Sequence, residues 1–168
     1  QRTNDRETAQ EIILRAAVDA LTEDFWLLAT VLSMSDVTLT REEVAFLVGD
    51  VVPTSARVAT ALRSLRRSSM TIVYQGDRIA LHDALRPLAL DDKDSLPTGT
   101  VEAVLDRLTE TMMVSLSRER DIPRFSFMLR LLPRVGRTEA LVDLAAYEMF
   151  HEQGDPRSLR AELQRAAD

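Results

Sequence analysis

Residues 78–89 read RIALHDALRPLA, and the chain is expected to pass there from a strand into a helix. A His-Asp pair stands at the junction, and apolar residues follow it at helical spacing: Leu81, Leu85, Leu88 and Ala89. The pattern predicts a short helix over residues 83–90. Asp83 is a preferred residue type for its N-cap, and His82 is then expected to end the strand, partly buried.

The segments before this stretch predict three helices and a β-hairpin. Residues 24–34, 40–48 and 53–67 have helical patterns, and the second of them begins with Thr40 and Glu43 at the spacing of a capping box. Residues 70–75 are β-branched and aromatic, and Gly76-Asp77 marks a turn before a return strand over 78–81. This order of elements is typical of a winged helix.

The remaining sequence is helical in pattern. Residues 91–99 are polar, contain Pro97 and Gly99, and form the best linker in the chain. We therefore expect a mainly α protein with four segments: an N-terminal helix over 1–21, a winged-helix domain over 22–90, a linker over 91–99, and helical hairpins over 100–168 that resemble the start of a helical-repeat array.

Composition excludes several function classes. The chain of 168 residues has a net charge of −6, and it contains no cysteine that could serve as a nucleophile or a thiolate ligand. It has no GxxxxGK[ST] loop, and its two histidines have no zinc-site spacing. We therefore expect no enzyme activity, metal or cofactor in this segment, and no membrane partner. A reducing cytoplasm is the expected location.

The phrase Leu81-His82-Asp83, followed by Arg86, Leu88 and Ala89, resembles the end of the winged helix in STAND-type signalling NTPases, which include the NB-ARC proteins. Those proteins carry Met-His-Asp at this point, and their histidine contacts the phosphate of bound ADP in the closed state. The resemblance implies that His82 and Asp83 are nucleotide-sensing residues and that ATP or ADP binds elsewhere in a parent protein. Pro87 departs from the usual polar residue.

The resemblance also implies a function. The chain would be a non-catalytic regulatory segment that packs on a nucleotide-binding domain of the same or another protein. Self-association is a further expectation. Lys93 is the only lysine, and this arginine bias, together with many alanines, hints at a GC-rich bacterial genome.

The alternative is a DNA-binding transcription regulator whose C-terminal helices dimerise. No acidic residue lies between Pro53 and Gly76, and the candidate contacts to DNA or a protein partner are arginines: Arg57, Arg63, Arg66, Arg67 and Arg78. The acidity of the whole chain disfavours DNA. A second basic stretch follows the linker and is expected to pair within the chain or to dock an acidic partner: Arg118, Arg120, Arg124, Arg130, Arg134 and Arg137.

Overall fold

Helices dominate the part of the chain that the computed structural model describes, and one small antiparallel sheet accompanies them. The described residues are Ala16, 23–49, 55–151 and four isolated positions: Arg157, Arg160, Ala161 and Gln164. The helix expected over 1–21 lies outside them, apart from Ala16, and so does most of the expected helical region beyond residue 151. The described residues divide into two units, considered separately below.

The N-terminal unit comprises the described residues of Gln1–Met34 and Thr40–Leu96. Its helices are α1 (Glu23–Ser33), α2 (Arg41–Val48), α3 (Ser55–Arg67) and α4 (Arg86–Asp91), and its strands are β1 (Thr71–Val73) and β2 (Ile79–Leu81). Helix α1 is central, because it packs against α2, α3, α4 and β2. Its Leu28, Val31 and Leu32 are buried, as a helix with a narrow polar face requires.

Helix α2 begins where the sequence predicted. The backbone N–H of Glu43 donates to Thr40 Oγ1 at 3.2 Å, and the backbone N–H of Thr40 donates to Glu43 Oε2 at 2.7 Å. The capping box is therefore confirmed. Gly49 does follow the helix, but its backbone is right-handed, so it is not a left-handed glycine cap.

The hairpin pairs Thr71 with Leu81 and Val73 with Ile79. A short 3₁₀ turn (Gln75–Asp77) joins the strands, and Gly76 has a φ of 76° there, a conformation that glycine adopts without steric cost. A bond from the backbone N–H of His82 to the carbonyl of Met70, at 2.9 Å, continues the ladder past β2. The expected strands are thus present but shorter.

The segment expected to be a linker is partly helical. Residues Asp92–Ser95 form a 3₁₀ helix directly after α4, Leu96 is buried, and the boundary between the two units falls between Leu96 and Pro97. The next helix has Gly99 at its N-cap with a φ of 82°. Thr98 and Thr100 stand on either side of Gly99, and neither of them occupies the N-cap position of that helix.

The C-terminal unit comprises Ser35–Leu39 and the described residues of Pro97–Asp168. Its helices are α5 (Thr100–Arg118), α6 (Ile122–Arg134) and α7 (Thr138–His151), and each packs against the next. The apolar stripe expected on α5 is buried at four positions: Val104, Leu108, Met112 and Leu116. The inclusion of Ser35–Leu39, which lies between α1 and α2 in sequence, was not expected.

Candidate functional site

An exposed turn connects β2 to α4 and carries His82. The ring Nδ1 of His82 accepts the backbone N–H of Ala84 at 3.2 Å, and the carbonyl of His82 accepts the backbone N–H of Leu85 at 2.9 Å. Because Nδ1 is the acceptor, the hydrogen of the neutral ring lies on Nε2. His82 is exposed, whereas the sequence had suggested a partly buried strand end.

Asp83 does not cap the following helix. Helix α4 begins at Arg86, two residues later than an N-cap at Asp83 requires, because the chain first makes the turn closed by His82 and Leu85. The side chain of Asp83 is 93% exposed, and its Oδ1 lies 4.0 Å from Nη2 of Arg86. The interpretation of Asp83 as an N-cap was therefore wrong. The later start also places Pro87 in the first turn of α4, where proline is tolerated.

Asp83 and Thr40 should differ in their contributions to the free energy of unfolding. Asp83→Ala should leave the free energy of unfolding unchanged within error, since the Asp83 carboxylate is solvated and caps nothing. Thr40→Ala, which removes the cap of α2, should cost about 1 kcal/mol. Urea denaturation of both variants measures the contrast, and a loss at Asp83 equal to that at Thr40 would restore the capping role.

A cleft of about 130 Å³ lies in the N-terminal unit, between α2, α3 and the hairpin. It is lined by Arg41 and Ala45 of α2, by Val58, Ala59, Leu62, Arg63 and Arg66 of α3, and by Thr71, Val73, Asp77 and Ile79 of the hairpin. The hairpin residues converge because Val73 and Ile79 are paired and Thr71 lies two residues before Val73, on the same face of the sheet.

Three guanidinium groups line the cleft, and all three side chains are exposed. The Arg63 group is held against its own helix, since Nε donates to the carbonyl of Ala59 and Nη2 donates to Thr60 Oγ1, each at 3.3 Å. Among the described residues that line the cleft, Asp77 is the single carboxylate. The cleft is thus positively charged with an apolar floor, and it can bind an anionic group that has an apolar neighbour.

The structure separates the five arginines that the sequence had grouped. Arg63 and Arg66 line the cleft, whereas Arg57, Arg67 and Arg78 do not. Arg57 and Arg66 are nine residues apart on α3, which is about two and a half turns, so they lie on opposite sides of the helix. Arg41 was missed, because its contribution depends on how α2 packs against α3.

The second basic stretch makes contacts inside the C-terminal unit. Arg130 Nη2 lies 2.6 Å from Asp36 Oδ2, and Arg137 pairs with Asp106. Arg124 is 2% exposed, and its Nη2 donates to the carbonyl of Thr38 at 3.0 Å. Pairing within the chain, the first of the two expectations for this stretch, is thus confirmed for these three arginines.

Comparison with known proteins found no matching family model, no matching curated protein and no matching solved structure. Among the residues that the structure describes, no helix is long and apolar enough to cross a membrane. In the same part of the chain, no group of three acidic or histidine side chains is arranged to hold a metal ion.

Proposed function

We propose that this chain is a non-catalytic regulatory and protein-interaction segment of a STAND-like NTPase. Its N-terminal unit would be a winged helix that packs on a nucleotide domain outside the sequence, and His82 would contact the bound nucleotide there. Helices α5–α7 would be helical hairpins that pass on the signal of a sensor. The single observation that carries the proposal is the exposed His82 ring at the junction of β2 and α4.

The chemistry of the junction supports this role. The bond from Ala84 to Nδ1 orients the ring and leaves Nε2–H as a donor on an exposed side chain. An oriented donor of this kind suits a diphosphate oxygen, and a hydrogen bond to a charged group is worth about 1.5–3 kcal/mol. A contact made in only one nucleotide state would bias the equilibrium between the two states of a switch.

Two substitutions of His82 distinguish the roles of its two ring nitrogens. Asparagine keeps an acceptor near the position of Nδ1 and removes the outer donor, whereas glutamine offers an amide N–H near the position of Nε2. In the complete protein, His82→Asn should accelerate ADP release roughly tenfold or more, as expected for one lost charge-assisted hydrogen bond. His82→Gln should retain ADP better than His82→Asn.

Stopped-flow release of a fluorescent ADP analogue measures both rates, and Asp94→Ala serves as the control on another exposed side chain of the N-terminal unit. Equal release rates in wild type and His82→Asn would eliminate the nucleotide contact. A complete protein that binds no adenine nucleotide would contradict the whole proposal.

The DNA-binding alternative has less support from the geometry. A recognition helix needs its arginines on one face, whereas Arg57 and Arg66 lie on opposite sides of α3. Asp77 also lies beside Arg63 and Arg66, where it would repel a phosphate backbone.

A further inference from the structure

We propose that the cleft between α2, α3 and the hairpin docks an acidic segment of a partner polypeptide that inserts an apolar side chain between Arg41, Arg63 and Arg66. The proposal rests on the proposed function in one respect, since it names the class of partner for the interaction segment. It concerns a different surface, because His82 is not among the residues that line the cleft.

The size of the cleft favours a side chain over a small molecule. Sites for small molecules typically enclose roughly 300–1,000 Å³, whereas this cleft measures about 130 Å³. Its floor is apolar, with Val58 and Ile79 buried and Leu62 partly exposed. A single leucine or phenylalanine of a partner would cover this apolar surface and remove it from water.

The floor continues into apolar surface on the hairpin. Val73, which lines the cleft, is 37% exposed, and the next residue, Tyr74, is 48% exposed. The exposed part of Val73 therefore adds to the apolar contact area of the cleft. Tyr74, the residue that follows β1, belongs to the opposite face of the hairpin and does not line the cleft.

The charge of the cleft specifies the partner. Its described lining contains three arginines and one aspartate, so a segment rich in glutamate or aspartate is complementary to it. Arg63 is already held in place by its bonds to Ala59 and Thr60, so less conformational freedom is lost when it binds a carboxylate. Arg41 and Arg66 come from different helices and would contact different carboxylates.

Nucleic acid would use only part of this surface. A phosphate backbone gains nothing from the apolar floor and is repelled by Asp77, whereas an acidic peptide with an apolar side chain uses both the arginines and the floor. A peptide can also place its carboxylates away from Asp77. We therefore assign the cleft to a protein partner.

The test is fluorescence anisotropy with the full chain and two labelled peptide pools. The acidic pool combines glutamate with leucine or phenylalanine at randomised positions, and the basic pool replaces every glutamate with lysine. The acidic pool should bind and the basic pool should not. Arg63→Glu combined with Arg66→Glu should weaken binding of the acidic pool by roughly tenfold or more and should improve binding of the basic pool.

Two controls make the result specific. Arg157→Glu combined with Arg160→Glu makes the same charge change on exposed arginines of the C-terminal unit, and it should leave peptide binding within about twofold of wild type. His82→Asn should also leave it unchanged, so the peptide assay and the ADP assay can fail independently. Circular dichroism verifies that each charge variant is folded.

Three outcomes would overturn the assignment: equal binding of the two pools, equal losses for the cleft and control variants, or binding of a DNA duplex that the cleft variant abolishes while the acidic pool does not bind. Concentration-dependent dimerisation that the cleft variant abolishes, without binding of the acidic pool, would assign the cleft to a second copy of the chain instead.

Discussion

Arg124→Ala should destabilise the C-terminal unit by about 3 kcal/mol, the largest effect expected for any polar residue in the described part of the chain. The Arg124 side chain is 2% exposed, its Nε lies 3.5 Å from Asp121 Oδ2, and its Nη2 donates to the carbonyl of Thr38. The substitution leaves the largely buried Asp121 carboxylate without its nearby cation and the Thr38 carbonyl without this donor. Each of these groups then loses a polar partner, and water cannot fully replace that partner at a buried position.

Arg130→Ala is the matched control. Arg130 also reaches from α6 to Ser35–Leu39, but it does so on the surface, where its side chain and that of Asp36 are about half exposed. Its loss should cost less than about 1 kcal/mol. Arg124→Met should lie between the two, because methionine retains the packing of the side-chain stem.

Measuring the stability of these variants requires a spectroscopic probe that reports unfolding of the C-terminal unit. Trp26 is the only tryptophan and lies in the N-terminal unit, so its fluorescence reports that unit alone. Urea unfolding should therefore be followed by far-ultraviolet circular dichroism for the arginine variants. Equal losses for Arg124→Ala and Arg130→Ala would show that burial of the guanidinium adds nothing to stability.

Leu85→Ala should destabilise the N-terminal unit by about 3 kcal/mol. Leu85 is 2% exposed and ends the turn that leads into α4, which packs against α1. Truncation leaves a cavity in this core that the surrounding helices can close only in part. The Leu88 side chain is partly exposed, so Leu88→Ala should cost about 1 kcal/mol.

Trp26 fluorescence is the appropriate probe for this pair, since α1 carries the tryptophan. His82→Ala in the same stretch should shift the unfolding midpoint least, because the His82 side chain is exposed. A loss of stability in His82→Ala as large as that in Leu85→Ala would show that burial does not determine these losses. That result would contradict this account of the core.

Features that depend on neighbouring residues could be predicted from the sequence. The capping box needs only Thr40 and Glu43 three residues apart, and the hairpin turn needs only a residue such as Gly76 that adopts a positive φ between two β-branched runs. The buried stripe of α5 follows from helical spacing alone. The winged-helix arrangement and the nucleotide role of His82 remain predictions.

The junction at His82 shows why a local sequence pattern did not identify the start of α4. An aspartate before an apolar helix is a good cap, but the imidazole Nδ1 of the preceding residue also accepts a backbone N–H two residues ahead. The turn formed by His82 moved the helix start to Arg86 and left Asp83 in solvent. Sequence propensity does not decide between these two local hydrogen-bond patterns.

Features that depend on distant residues could not be predicted. The cleft needs Arg41 of α2 beside Arg63 and Arg66 of α3, and burial of Arg124 needs a carbonyl that lies 86 residues away in sequence. Asp121, three residues earlier, is a local partner for Arg124, but nothing in the neighbouring sequence indicates that the Arg124 side chain is buried. Only the packed structure does so.

The membership of Ser35–Leu39 in the C-terminal unit makes that unit discontinuous along the chain. A truncated polypeptide that starts at Pro97 would lack the Thr38 carbonyl and the Asp36 carboxylate that α6 binds. Closing a loop of this length costs about 4 kcal/mol of chain entropy, so we expect the contacts between α6 and Ser35–Leu39 to form late in folding. The conformation of the connection between α1 and α2 therefore depends on contacts with α6, whose Arg124 follows Thr38 by 86 residues.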